Sequence, residues 1–284
     1  MARGRPNKSE PQVVGYLREK GEPVLDLQLD AAPFAAWVRE QGDSPVELRS
    51  AVKRLRNKGL LHTVQRGRYV VNLDAQPSRG PLLDELDPLG EAVLRRLDGM
   101  RHYVSFHSAL WRHGLIDQQS RTLFVAVDGR KRDVKFAQWQ VRFVTLNEEH
   151  FFGWDERELG PNVLRMATVE KALLDSLYLP RLAGRVPVVV RAMARAWEGE
   201  QLDPERLIDY TIRFDRPSLS RRIGYFMELL GIPDADRLLP YTGRMWAVPL
   251  TPGSFPNAGQ HTPVDSRWRV FENPRLTNTV LEWK

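Results

Sequence analysis

Between Leu48 and Leu73 the sequence holds Arg49, Lys53, Arg54, Arg56, Lys58, Arg66 and Arg68, and not one acid. Seven cations without a counter-charge suit one chemistry above others, the binding of phosphodiester anions. A merely solvated charge run interleaves both signs. The bias is local. Residues 1–72 carry 13 Lys+Arg against 8 Asp+Glu, a balance of +5, and the rest of the chain balances at +1. A further cationic element opens the chain. Arg3-Gly4-Arg5-Pro6 has the form of an arm that enters a narrow A·T-rich minor groove, with Gly4 letting the backbone approach the groove floor. The same residues also read as a loose basic terminus.

The elements that must position these cations are legible in residues 9–73. "SEPQVVGYLREKG" places Val13, Val14 and Leu17 at helical spacing and closes on Gly21. "LDAAPFAAWVREQG" turns Phe34, Trp37 and Val38 inward and ends at Gly42. In "DSPVELRSAVKRLRNKG" the spacing predicts a third helix capped by Ser44, with Pro45 at its first position and Gly59 as its stop. Leu48, Ala51, Val52 and Leu55 form its buried stripe, which leaves Arg49, Ser50, Lys53 and Asn57 on the opposite face, flanked by Arg54 and Arg56. "LLHTVQRGRYVV" then predicts a hairpin turning at Gly67.

Three helices and a hairpin in this order resemble a winged helix-turn-helix. In that arrangement the third helix lies in the major groove and the hairpin touches the flanking backbone. Arg49 and Lys53, with Ser50 between them, are then candidates for base edges. Lys58, Arg66 and Arg68 are candidates for phosphates, and Ser44, Arg54 and Asn57 complete the expected DNA-facing set. An arm just before the first helix can reach the minor groove beside the third, which favours the groove-binding reading of Arg3 and Arg5.

At 284 residues, 42% of them hydrophobic, the chain has room for two domains with cores of their own. It contains no cysteine, which excludes disulfides, a thiol nucleophile and Cys-ligated zinc. No apolar stretch approaches the ~20 residues of a membrane span, and the first thirty residues lack a signal-peptide core. A cytoplasmic protein without a membrane partner is expected. Residues 74–89, rich in Pro, Gly and acids, read as a linker, and 90–284 as a larger mixed α/β domain, α+β overall. Helices are expected at 91–98, 105–113, 168–178, 186–197, 204–212 and 218–230. Strands are expected at 122–128, 134–146 (as one or two) and 162–167.

Four phrases in this larger part carry a family resemblance: "YVSFHSALWRHGLI" (103–116), "VLRMATVEKALLDSLYLP" (163–180), "SLSRRIGYFMELLG" (218–231) and "SRWRVFENPRL" (266–276). In this order, behind a winged helix, they resemble the AbiEi antitoxins of bacterial abortive-infection toxin–antitoxin pairs. The resemblance implies a repressor of its own operon. It also implies a C-terminal domain that counters a co-encoded nucleotidyltransferase-type toxin, without a tight complex being assumed. The Arg-Gly-Arg-Pro arm is no part of the resemblance.

From the residues alone these phrases read as structural. Glu170 and Asp175 are expected to be surface charges or partners of an arginine. Arg221 and Arg222 open a helix, where the dipole opposes cations, and so require an anionic or carboxylate partner, internal ahead of external. That makes them the candidate neutralisation surface. His102, His107 and His113 are spaced at five and six, which suits no metal site on a helix. Asp128 and Asp133-Val134-Lys135 imitate a nuclease site with too short a spacing, and no phosphate-binding loop or nucleophile elbow is present. No enzyme, metal or cofactor is expected. The alternatives are a nuclease-like DNA-processing enzyme and a repressor whose large domain senses a small ligand.

Overall fold

The structure, a computed structural model, describes residues 9–21, 24–71, 97, 100–136, 139–159, 162–243, 246–257 and 262–281. The arm with Arg3 and Arg5, the linker at 74–89 and almost all of the expected helix at 91–98 lie outside the described residues. By its contacts the chain forms two compact units, residues 1–99 with 133–141, and residues 100–132 with 142–284. Both helix and strand are well represented, as a mixed α/β chain requires.

In the first unit the apolar stripes read from the sequence meet in one core. Helices α1 (Ser9–Lys20), α2 (Ala31–Glu40) and α3 (Leu48–Asn57) supply Val13, Tyr16, Leu17, Phe34, Val38, Ala51 and Leu55 to it. Strands β2 (Leu61–Gln65) and β3 (Arg68–Val71) form the expected hairpin, and Gly67 at its turn takes φ +82°, the left-handed region that favours glycine. A third strand, β1 (Val24–Asp26), is an addition. It pairs antiparallel with β3, Asp26 opposite Arg68, to give the order β1-β3-β2. All three of its residues are buried, so no alternation betrays it in the sequence.

The start of α3 differs from expectation. The helix begins at Leu48 with Glu47 as its N-cap residue, not at Pro45 behind Ser44. Gln12 of α1 explains the delay. Its side-chain amide donates to the Ser44 carbonyl (3.2 Å) and accepts from the Val46 N–H (3.3 Å), satisfying backbone groups that the helix would otherwise have used.

The second unit contains β4 (His102–Val104), β5 (Thr122–Val127), β8 (Trp154–Leu159) and β9 (Asn162–Ala167). They make a mixed sheet in the order β5-β4-β9-β8, and β6 (Val134–Phe136) pairs antiparallel with β7 (Trp139–Thr145). Around the mixed sheet are α4 (Phe106–Arg112), α5 (Val169–Tyr178), α6 (Arg185–Glu198), α7 (Pro204–Phe214), α8 (Pro217–Leu230) and α9 (Pro274–Leu281). The same unit holds a two-stranded parallel pair, β10 (Val248–Pro249) with β11 (Val270–Phe271). Helix α5 starts at the expected cap, Thr168, whose side chain accepts from the Lys171 N–H at 3.3 Å. It packs against α4, α6, α7 and α8 and is buried on nearly every side. Glu170 and Asp175 therefore are not surface charges; both are buried, and Glu170 is, as the alternative had it, the partner of an arginine, Arg206 (3.8 Å).

Candidate nucleic-acid interface

One face of α3 carries the charge that the sequence assigned to it. Arg49, Ser50, Lys53, Arg56 and Asn57 are exposed, while Leu48, Ala51, Val52 and Leu55 are buried behind them. Arg54 is half-buried and turns its Nε to the Ser50 carbonyl (3.4 Å). The Ser50 hydroxyl donates to Glu47 at 2.6 Å. Between this face and the β2–β3 turn runs an open cleft of about 670 Å³, to which Arg49, Lys53, Arg56 and Arg66 contribute and no carboxylate does.

The cleft has a fixed rim. The Leu27 N–H donates to the Gly67 carbonyl (2.8 Å), which ties the β1–α2 turn to the hairpin turn. The Asp26 carboxylate accepts from the Gln28 and Leu29 N–H groups, at 2.9 and 3.3 Å, so Gln28 is presented to the cleft on a braced turn. Arg56 lies 5.9 Å over the ring of Tyr69, a second lining residue. Gln28 and Tyr69 were not among the residues singled out from the sequence. The strand that places Gln28 is three buried residues long, and only tertiary pairing reveals it.

Three of the sequence candidates sit elsewhere. Arg68 is buried, with its Nε 3.4 Å from the carboxylate of Asp26, directly across the β1–β3 pair. It follows Arg66 by two residues, but the turn at Gly67 ends between them, so one guanidinium points to solvent and the other inward. Lys58 keeps an exposed ammonium that is paired with Glu10 of α1. Ser44 is exposed, but it caps no helix.

In the second unit, Arg221 and Arg222 do not form a surface; both are buried. The Arg221 guanidinium donates to the carbonyls of Thr242 (2.8 Å), Trp246 (2.6 Å) and Gly243 (3.1 Å), and Arg222 Nε to that of Pro249 (2.8 Å). Burial pulls the Arg222 pKa down to about 10. The compensating partner that the helix dipole requires is internal, and it consists of backbone dipoles rather than an acid.

Lys171, Asp175, Tyr103 and Ser105 form a second closed cluster. Lys171 Nζ pairs with Asp175 and donates to the Tyr103 hydroxyl (2.9 Å), and Asp175 also accepts from Tyr103 (3.0 Å) and Ser105 (2.8 Å). Desolvation lowers the Lys171 pKa and raises that of Tyr103 well above its usual range. Asp128 is held by Arg101 and Asp133 by Gln140, each at 3.0 Å. His113 contacts the Ala167 carbonyl (2.8 Å) and His102 that of Met100 (3.0 Å), so both act as packing groups. Among the described residues no set of three His, Asp or Glu side chains is placed to hold a metal, and no helix is long and apolar enough to cross a membrane.

No family model matches the chain, and no curated protein does. Among solved structures it is similar to the crystal structure of the RV2827C protein from Mycobacterium tuberculosis, with a TM-score of 0.66 at 16% identity. The match covers 98% of this chain and 96% of that one. The likeness is one of fold.

Proposed function

We propose that the chain is a cytoplasmic DNA-binding antitoxin of the AbiEi type. In this reading the first unit is a winged helix-turn-helix that represses the chain's own toxin–antitoxin operon. The second unit counteracts a co-encoded nucleotidyltransferase-type toxin and performs no catalysis of its own. The observation that carries the DNA reading is the cleft between α3 and the hairpin turn, lined by four cations and no acid. Arg49 and Lys53, one turn apart and exposed near the start of α3, are placed as a pair on a recognition helix would be. Arg66 at the turn serves the flanking phosphates. The antitoxin reading is supported by the four phrases in family order, and the inward-facing Arg221 and Arg222 leave its neutralising surface elsewhere on the unit. The nuclease alternative loses support because Asp128 and Asp133 are engaged by Arg101 and Gln140.

The test is binding of the full chain to a duplex from the region upstream of its own gene, titrated over salt. Three or four phosphate contacts should give a slope of about −0.9 per contact in log affinity against log salt. Arg49→Ala should flatten preference at one base position. Equal affinity for the upstream duplex and for random DNA would remove the repressor reading. Failure of the chain to restore growth beside the adjacent toxin gene would remove the antitoxin reading.

A further inference from the structure

The cleft beside α3 offers more than cations. Gln28 carries the one side-chain amide among its lining residues. Its side chain is exposed, and among the described residues the amide makes no hydrogen bond within the protein, so its donors are open to a ligand. Gln28 and every group that holds it belong to the first unit.

Two buried carboxylates fix where that amide stands. Asp26 accepts from the Gln28 N–H (2.9 Å) and the Leu29 N–H (3.3 Å). Asp30 accepts from the Asp26 N–H (2.6 Å) and is itself held from α1, by the Tyr16 hydroxyl (3.0 Å) and the Lys20 ammonium (2.5 Å). On the other side of Gln28, the Leu27 N–H is bonded to the Gly67 carbonyl at 2.8 Å. The backbone at residues 27–29 is therefore anchored at each N–H. A ligand has only one side chain to order there, which keeps the entropic cost of the contact low.

The place of the amide selects what it touches. The Leu27–Gly67 bond puts Gln28 on the hairpin side of the cleft, one residue from the bond, as Arg66 is on the other strand. The opposite wall is α3. With α3 seated in a major groove, the part of the duplex that reaches the hairpin side is the sugar-phosphate strand bounding that groove. A side-chain amide donates to phosphate oxygens without carrying charge. We propose that Gln28 is an uncharged phosphate ligand, donating from Nε2 to the strand that Arg66 also contacts. The assignment rests on the DNA-binding reading above and gives it a second component. Arg49, Lys53, Arg56 and Arg66 bind by releasing counterions, which salt opposes, whereas Gln28 releases none and adds affinity that salt leaves in place.

The experiment uses the full chain, the upstream duplex and a set of its single-base-pair variants, each titrated over salt. Gln28→Ala should weaken binding about two- to tenfold, the worth of one neutral hydrogen bond, at every salt concentration and on every duplex of the set. Its salt slope should equal that of the parent, whereas Arg66→Ala loses about 0.9. Gln28→Lys places a cation at the same phosphate and should steepen the slope by about 0.9. The urea midpoints of both Gln28 variants should match the parent, since the bond that holds residue 28 comes from its backbone. Parental affinity in Gln28→Ala, or a slope unmoved by Gln28→Lys, overturns the assignment and leaves the DNA-binding reading intact. So does a loss in Gln28→Ala that is confined to one base pair, which makes Gln28 a reader of bases, or one that comes with a lowered urea midpoint. A parent chain that binds no duplex overturns the DNA-binding reading itself, and the assignment with it.

Discussion

The ammonium of Lys171 and the carboxylate of Asp175, one turn apart on α5, pair where neither side chain reaches solvent. Tyr103 and Ser105 add hydrogen bonds to the same carboxylate, from β4 and from the N-cap of α4. The pair thus joins the central helix to the sheet. Taking one charge from a buried pair strands the other, at a cost of about 3–5 kcal/mol.

Lys171→Met should therefore destabilise the protein by roughly that amount, and Asp175→Leu by a similar amount. The double replacement should cost clearly less than the two single losses together, because no buried charge is left uncompensated. Urea unfolding of the three variants measures this. Single losses under about 1 kcal/mol would mean that water reaches the pair.

Acid should weaken the second unit. His150 is buried and stacks on Phe214, ring centroids 3.8 Å apart and planes 4° from parallel. Burial, reinforced by the positive charges of Arg216 and Lys171, holds its pKa below the usual 6.5. Burial acts in the same direction on His102 and His107. Below pH 6.5 the unfolded chain takes up these protons and the folded chain resists them. Stability from these groups is complete above pH 6.5 and declines as pH falls through the lower folded values. The urea midpoint should drop between pH 7 and pH 5, and His150→Phe should lessen the drop. A midpoint that stays flat in the parent chain over this range would contradict the assignment.

What the sequence made legible follows from how far each signal extends. The stripe Leu48, Ala51, Val52, Leu55 spans two turns and placed the exposed face of α3 correctly, because periodicity needs no tertiary information. The cap did not follow, because Gln12, 32 residues away from Ser44, takes over the backbone groups there. Strand β1 is too short and too uniformly buried to show alternation, and with it the positions of Gln28 and Arg68 were lost. Cations at a helix start were read as needing an anionic or carboxylate partner. That the partner would be three carbonyls from residues 242–246 is written only in the fold.

Arg66 and Arg68 give the sharpest test of this difference, since the sequence treats them alike. Arg66 is exposed at the hairpin turn, whereas Arg68 is buried against Asp26, whose carboxylate also braces the turn bearing Gln28. Arg66→Ala should leave unfolding within about 0.5 kcal/mol of the parent, as for other surface changes. Its DNA affinity should fall, with a salt slope shallower by about 0.9. Arg68→Ala leaves a buried carboxylate without its cation and should cost about 3 kcal/mol of stability. Its DNA binding should fail only through loosening of the cleft, so at low temperature, where the unit stays folded, the salt slope should keep its parental value. If instead both variants were as stable as the parent and lost one phosphate contact each, Arg68 would have to turn outward on DNA, and the Asp26 pair would not be what fixes the hairpin.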